Sequence, residues 1–130
     1  MRKALQLAQR AREEGEVPIG ALVVHENSIV GEGWNRPIAA NDPTAHAEIQ
    51  AMRAAASNLK NYRLSGATLY VTLEPCDMCL GAMFHARIAR VVYGASDPKK
   101  VQLKNKIILQ GNVLADECGT MLSSFFAAKR

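Results

Sequence analysis

Ala67-Thr68-Leu69-Tyr70-Val71-Thr72-Leu73-Glu74-Pro75-Cys76-Asp77-Met78-Cys79 changes its pattern once, at Pro75. Before the proline, residues 67–73 alternate well enough for a buried strand and carry Tyr70, Val71 and Thr72, types that suit a pleated surface. Proline is harmless at the start of a helix, where its missing N–H has no partner in a preceding turn. The chain is therefore expected to turn helical from Pro75 to about residue 87. Residues 88–93 then read as another strand. Strands joined through helices imply a sheet with helices packed on both faces.

The flanking sequence extends this pattern. Residues 2–13 place Leu5, Ala8 and Ala11 at helical spacing with charge on the other face, and Gly15 ends that helix. Residues 19–24 are a short apolar run of strand type. His25-Glu26-Asn27-Ser28 supplies turn chemistry and Ile29-Val30 resumes the sheet, which makes a hairpin. Asp42-Pro43-Thr44 is a helix-start signal, and a helix rich in Ala, Met, Gln and Arg is expected to about residue 56. Residues 59–66 and 94–98 read as loops. Residues 106–110 read as a strand, and 115–129 as a closing amphipathic helix with Leu122, Phe125 and Phe126. The order α-β-β-α-β-α-β-β-α predicts an α/β fold, a three-layer α/β/α sandwich around about five strands.

At 130 residues with 48% hydrophobic content, the chain suits one domain, residues 1–130, with one core. No repeat or linker interrupts it. No apolar run approaches the roughly 20 residues of a membrane span, and no signal peptide is visible, so a cytoplasmic location is expected. Three cysteines, two of them in a Cys-x-x-Cys, favour metal or redox use over a disulfide framework. A net charge of +4 suits a polyanionic partner without establishing one.

His46-Ala47-Glu48 and Pro75-Cys76-Asp77-Met78-Cys79 carry the chemistry. One imidazole and two thiolates close three corners of a zinc tetrahedron and leave the fourth for water. Both motifs fall at expected helix starts, where positive partial charge favours the thiolates that zinc needs. Two thiolates formally neutralise Zn²⁺, so a nearby base is expected, and Glu48 is placed for it. On a regular helix, residues two apart point about 200° away from each other, so the spacing permits this role without proving it. A Cys-x-x-Cys also fits redox use or half of a structural zinc knuckle. The further ligands a structural site would need, His25, His85 and Cys118, lack ligand spacing to the pair, and Cys118 reads as a core residue.

The His-x-Glu and Pro-Cys-x-x-Cys pair resembles the zinc-dependent nucleoside and base deaminases of the cytidine/deoxycytidylate deaminase superfamily. Longer strings are similar to the bacterial tRNA-specific adenosine deaminases: Glu16-Val17-Pro18-Ile19-Gly20-Ala21, Gly33-Trp34-Asn35-Arg36-Pro37, Asp42-Pro43-Thr44-Ala45-His46-Ala47-Glu48, Asn61-Tyr62-Arg63-Leu64 and Tyr70-Val71-Thr72-Leu73-Glu74-Pro75-Cys76. The similarity runs to about Pro98 and resumes at Leu114-Ala115-Asp116-Glu117-Cys118. It implies a cytidine-deaminase-like fold with a mixed sheet, and deamination of adenosine to inosine at the wobble position of tRNA by a zinc-activated water. It also implies a tRNA anticodon stem-loop as partner and a homodimer with one zinc per subunit. Carried over by position, His46, Cys76 and Cys79 bind zinc, and Glu48 moves the proton from water to N1 of the base. Asn35 hydrogen-bonds the flipped base, Ala47 offers it a backbone group, and Val17 and Ile19 line the pocket or pack in the core.

The chain departs from the family pattern after Lys99, where Lys100-Val101-Gln102-Leu103 runs almost directly into Lys104-Asn105-Lys106 and roughly a dozen residues are missing. Asp77 stands where the family more often has an apolar residue. Arg36, Arg63, Arg87, Lys99, Lys100, Lys104, Lys129 and Arg130 are each ordinary surface charges alone but together suit a phosphate track. Tyr62, Phe84 and Trp34 are candidates for single stacking contacts, with core burial the favoured alternative for each. A free-base or nucleoside deaminase acting on guanine, cytosine or cytidine is the competing reading. An inactive zinc-stabilised RNA-binding subunit is a third, which Glu48 argues against.

Overall fold

The computed structural model describes residues 1–98 and 107–129. Lys99, Lys100, Lys104 and Arg130, the shortened segment after Lys99, and the expected strand start at Lys106 lie outside the described residues. The elements are α1 (Arg2–Glu13), β1 (Gly20–His25), β2 (Ser28–Trp34), α2 (Pro37–Ala40), α3 (Ala47–Leu59), β3 (Thr68–Leu73), α4 (Asp77–Ala86), β4 (Arg90–Ala95), β5 (Ile108–Gln110) and α5 (Ala115–Ala128). One mixed sheet of five strands runs in the order β2-β1-β3-β4-β5. β1 is antiparallel to β2 and β3, while β3, β4 and β5 run parallel. The three-layer α/β/α expectation holds.

Glu26 and Asn27, with φ of 51° and 64°, make the two-residue β1–β2 turn. Left-handed backbone at both central positions matches the strand twist. Ala21 and Val23 point to one face, into the main core with Ala51, Met52, Ala55, Leu80 and Met83 of α3 and α4. Leu22 points to the other, against Ala4 and Leu7 of α1. Gly31 and Gly33 let α3 lie directly on β2. A Cβ at Gly31 would sit 2.3 Å from the Ala51 carbonyl oxygen, and one at Gly33 would sit 2.4 Å from that of Ala47. On the opposite face α5 packs Cys118, 1% exposed, against Gly94 of β4, so Cys118 is the core residue expected.

Several boundaries differ from the sequence expectation. α3 starts at Ala47, not behind Pro43. The Asp42 carboxylate accepts both the Thr44 N–H and the Thr44 hydroxyl at 2.8 Å, which closes a turn of its own. These two bonds hold the Asp42 carboxyl below its ordinary range. The turn therefore gains from them at neutral pH and loses that gain in acid, as the pH falls through the depressed value. α3 continues to Leu59, where Lys60 ends it in the left-handed region at φ 52°. The short α2 was not expected; it is held by a side chain far back in sequence, Glu16. β2 runs to Trp34 because its glycines, poor strand formers by propensity, are set by contact with α3. Phe126 is 45% exposed and only Phe125 of the aromatic pair is buried. Among the described residues no helix is long and apolar enough to cross a membrane.

Gly33→Ala should destabilise the fold by roughly 1–3 kcal/mol or more, because α3 must move off the sheet. A Cβ at Gly119 of α5 would meet nothing within 4 Å. Gly119→Ala should instead stabilise by roughly 0.5–1 kcal/mol, as expected for a helix interior. Urea midpoints of the two variants check the pair, and equal behaviour would contradict the packing described.

Candidate functional site

The site forms where α3 and α4 begin side by side. His46 is the residue before α3, with φ −69° and ψ 155°, and Cys76 is the residue before α4, with φ −76° and ψ 168°. Both are extended, so each side chain projects forward from a helix start. Cys79 follows in the first turn of α4, three residues on, which returns its thiol to the side of Cys76. His46 Nδ1 lies 3.6 Å from each of the two Sγ atoms. All three donor atoms lie within 4.8 Å of one another, and among the described residues they are the group of this kind.

That distance tests the fit of zinc. With Zn–N of about 2.0–2.1 Å and Zn–S of about 2.3 Å, the N–S edge of a tetrahedron is about 3.6 Å. The donors match in type and in spacing. Neither His25, His85 nor Cys118 joins them.

Glu48 is 4% exposed in the first turn of α3. The 200° objection to the His-x-Glu spacing disappears because His46 is extended rather than helical. The two thiols hold their protons unequally. The Cys76 thiol is pulled down to about 3 by the hydrogen bond from Cys79 and by His46, against the effect of burial. The Cys79 thiol is pushed up by the Cys76 sulfur, by burial and by Glu48. Without metal the pair therefore keeps a proton, and a cation seated between the sulfurs would displace it.

Asn35, 7% exposed, follows β2, and its N–H donates to the Ile19 carbonyl at 3.0 Å. The next N–H, of Arg36, donates to the Ala45 carbonyl at 2.9 Å, one residue before His46. Ala47 is fully buried as the first residue of α3. Val17 and Ile19 are half-buried, and Ile19 packs against the main core.

Sequence reasoning missed two buried acids. Glu16, 2% exposed, accepts the Ile38 and Ala39 N–H groups. Glu74, 7% exposed, accepts the Asp97 N–H at 2.8 Å while its own N–H donates to the Ala95 carbonyl, which fixes the approach to Cys76. Their only signal was an acid one or two residues before a proline. Tyr62 and Phe84 are exposed, not core residues, and each lies under an arginine, Arg63 and Arg87. Trp34 is half-buried between Arg10 and Arg36.

A mixed sheet with a His-Cys-Cys group at two helix starts defines a zinc-dependent deaminase architecture. Residues 1–95 match the cytidine and deoxycytidylate deaminase zinc-binding region, and the chain belongs to that family. It is 48% identical to the tRNA-specific adenosine deaminase of Haemophilus influenzae, covering 100% of this chain and 83% of the relative. That alignment spans 143 positions against 130 residues here, so about a dozen of its positions hold no residue of this chain. A solved structure from work on A-to-I editing by tRNA:A34 deaminases at the wobble position superposes with a TM-score of 0.89 at 40% identity, covering 94% of this chain and 97% of that one. The guanine deaminase of Bacillus subtilis, at 33% identity and a TM-score of 0.69, covers 98% of this chain and 90% of that one.

Cys76→Ala should abolish stoichiometric zinc in the purified protein, read by elemental analysis; full zinc in that variant would remove Cys76 from the donor set. Because metal must displace the proton shared by Cys76 and Cys79, zinc affinity measured by chelator competition and corrected for the chelator's own protonation should rise as pH goes from mildly acid to mildly alkaline. A flat competition profile would contradict the shared proton.

Proposed function

We propose that this protein hydrolytically deaminates adenosine to inosine at the wobble position of tRNA, as one deaminase domain spanning residues 1–130. The observation that carries this reading is the His46–Cys76–Cys79 donor triangle with buried Glu48 beside it, in a chain 48% identical to a tRNA-specific adenosine deaminase. Zinc held by these three residues would supply a Lewis acid that makes a water more acidic.

The chain's own residues do the rest. Two thiolates would cancel the charge of a bound Zn²⁺, which would leave it a weaker acidifier of water than one held by three neutral imidazoles. Glu48 is then the required base: it takes the water proton and delivers it to N1 of the base, and it assists departure of ammonia. Glu48 is buried in the first turn of α3, right after His46 and Ala47, yet is not part of the donor triangle, which suits a proton carrier more than a ligand. Asn35 hydrogen-bonds the flipped base, the Ala47 backbone meets its edge, and Val17 and Ile19 form the wall. The substrate is the anticodon stem-loop, the active form is a homodimer with one zinc per subunit, and the enzyme works in the cytoplasm. The net charge of +4 supports an RNA substrate over a free base.

Glu48→Ala should keep zinc and fold but lose deamination by about a hundredfold or more, the scale of general acid–base catalysis. Substantial turnover in that variant would reject the proton-carrier role. The wild-type enzyme should form inosine in total bacterial tRNA and leave free adenosine, cytidine and guanine untouched. Turnover of guanine with no inosine in tRNA would favour the free-base reading instead.

A further inference from the structure

The turn between α1 and β1 carries two carboxylates that the chemistry above does not use. Gly15, at φ 79°, reverses the chain after α1, and the Glu16 N–H returns to the Ala11 carbonyl at 3.0 Å. Glu14 and Glu16 then reach the same distant segment from two sides. The Glu14 carboxylate accepts the Trp34 indole N–H at 3.1 Å and lies 3.4 Å from Arg36 Nε. Arg10 covers the Trp34 ring from 4.0 Å. The Glu16 carboxylate accepts the Ile38 N–H at 3.2 Å with one oxygen and the Ala39 N–H at 2.8 Å with the other.

Asn35 sits inside this bracket. Trp34 and Arg36 are held by Glu14, Ile38 and Ala39 by Glu16, and Asn35 itself by the Ile19 carbonyl. The Arg36 N–H ties the bracket to Ala45, next to His46. Residues 35–39 leave the sheet and have no strand partner to set their position, so these bonds do it. The chemistry of Glu16 suits that task. A carboxylate only accepts, so it satisfies two neighbouring N–H groups at once and fixes their distance from the α1–β1 turn. Burying a carboxylate is costly, and these two part-buried bonds are what offset that cost for Glu16.

We propose that Glu16, with Glu14 as its outer partner, is a positioning residue that sets Asn35 against the base relative to the metal donors. This rests on the reading of Asn35 as the residue that binds the base. Neither glutamate touches substrate. Their effect is transmitted through Asn35, so it disappears when the Asn35 side chain is gone.

The test is a double-mutant cycle on the zinc-loaded, full-length protein, with an anticodon stem-loop RNA carrying a wobble adenosine. Zinc content and thermal midpoint are measured beside kcat and KM. Glu16→Gln keeps the size of the side chain but turns one acceptor into a donor facing an N–H. It should lower kcat/KM by roughly ten- to a hundredfold at full zinc occupancy, the scale of a misplaced contact group. In the Asn35→Ala background the same change should cost about twofold or less. Equal losses in both backgrounds, or wild-type kcat/KM in Glu16→Gln, would overturn the positioning role and leave the base-contact reading of Asn35 standing. An Asn35→Ala variant with wild-type kcat/KM would instead remove the base-contact reading, and the proposal with it. If Glu16→Gln does not fold, Glu14→Ala decides by the same cycle. Its carboxylate is partly exposed, and coupling to Asn35 supports the bracket while additivity overturns it.

Discussion

Everything at the site depends on three soft donor atoms held at tetrahedral spacing by two helix starts. His46 and Cys76 each occupy the extended residue before a helix, which aims their side chains out of the helix rather than along it. The 3.6 Å separations from Nδ1 to both sulfurs follow from that placement. Thiolates gather well there because helix starts bring positive partial charge and N–H groups. The same construction puts Glu48 in the first turn of α3, close behind His46 without being one of the donors. The three donors and the buried Glu48 thus come from one structural device.

The sheet exists to bring those two starts together. β3 ends just before Glu74-Pro75-Cys76, so the second motif arrives at the carboxyl end of a central strand. The first motif arrives by a different route. α3 is pressed onto β2 at Gly31 and Gly33, where no side chain intervenes, and this sets its height relative to α4. Buried acids complete the frame: Glu74 ties the approach to Cys76 to the end of β4, and Glu16 ties the segment after Asn35 to α1. These carboxylates act as struts. They connect loops that regular hydrogen bonding does not reach.

Much of this was legible in the chain. The strand-to-helix change at Pro75 predicted the layers, and α1 was placed over residues 2–13, where it lies. The donors were legible because metal chemistry restricts residue type and spacing so strongly. Boundaries were less so. The Asp42-Pro43-Thr44 signal reads as a helix start, yet its side-chain bonds close a separate turn and the helix waits until Ala47. Tyr62 and Phe84 have core-like side chains but lie exposed under arginines, because a local pattern cannot say which part of a loop or which side of a helix a neighbour will cover.

Sequence by itself determined what the centre is made of: one imidazole, two thiols and a carboxylate, in motifs whose chemistry admits few alternatives. It also determined the alternation of strand and helix, since hydrophobic period is a local property of the chain. Only the tertiary structure decided that Nδ1 is the nitrogen facing the sulfurs, that Cys118 stays on the far side of the sheet, and that Glu14 and Glu16 reach across to frame Asn35. Those facts join residues about twenty or more apart in sequence, and each depends on how the layers pack rather than on which residues are neighbours along the chain.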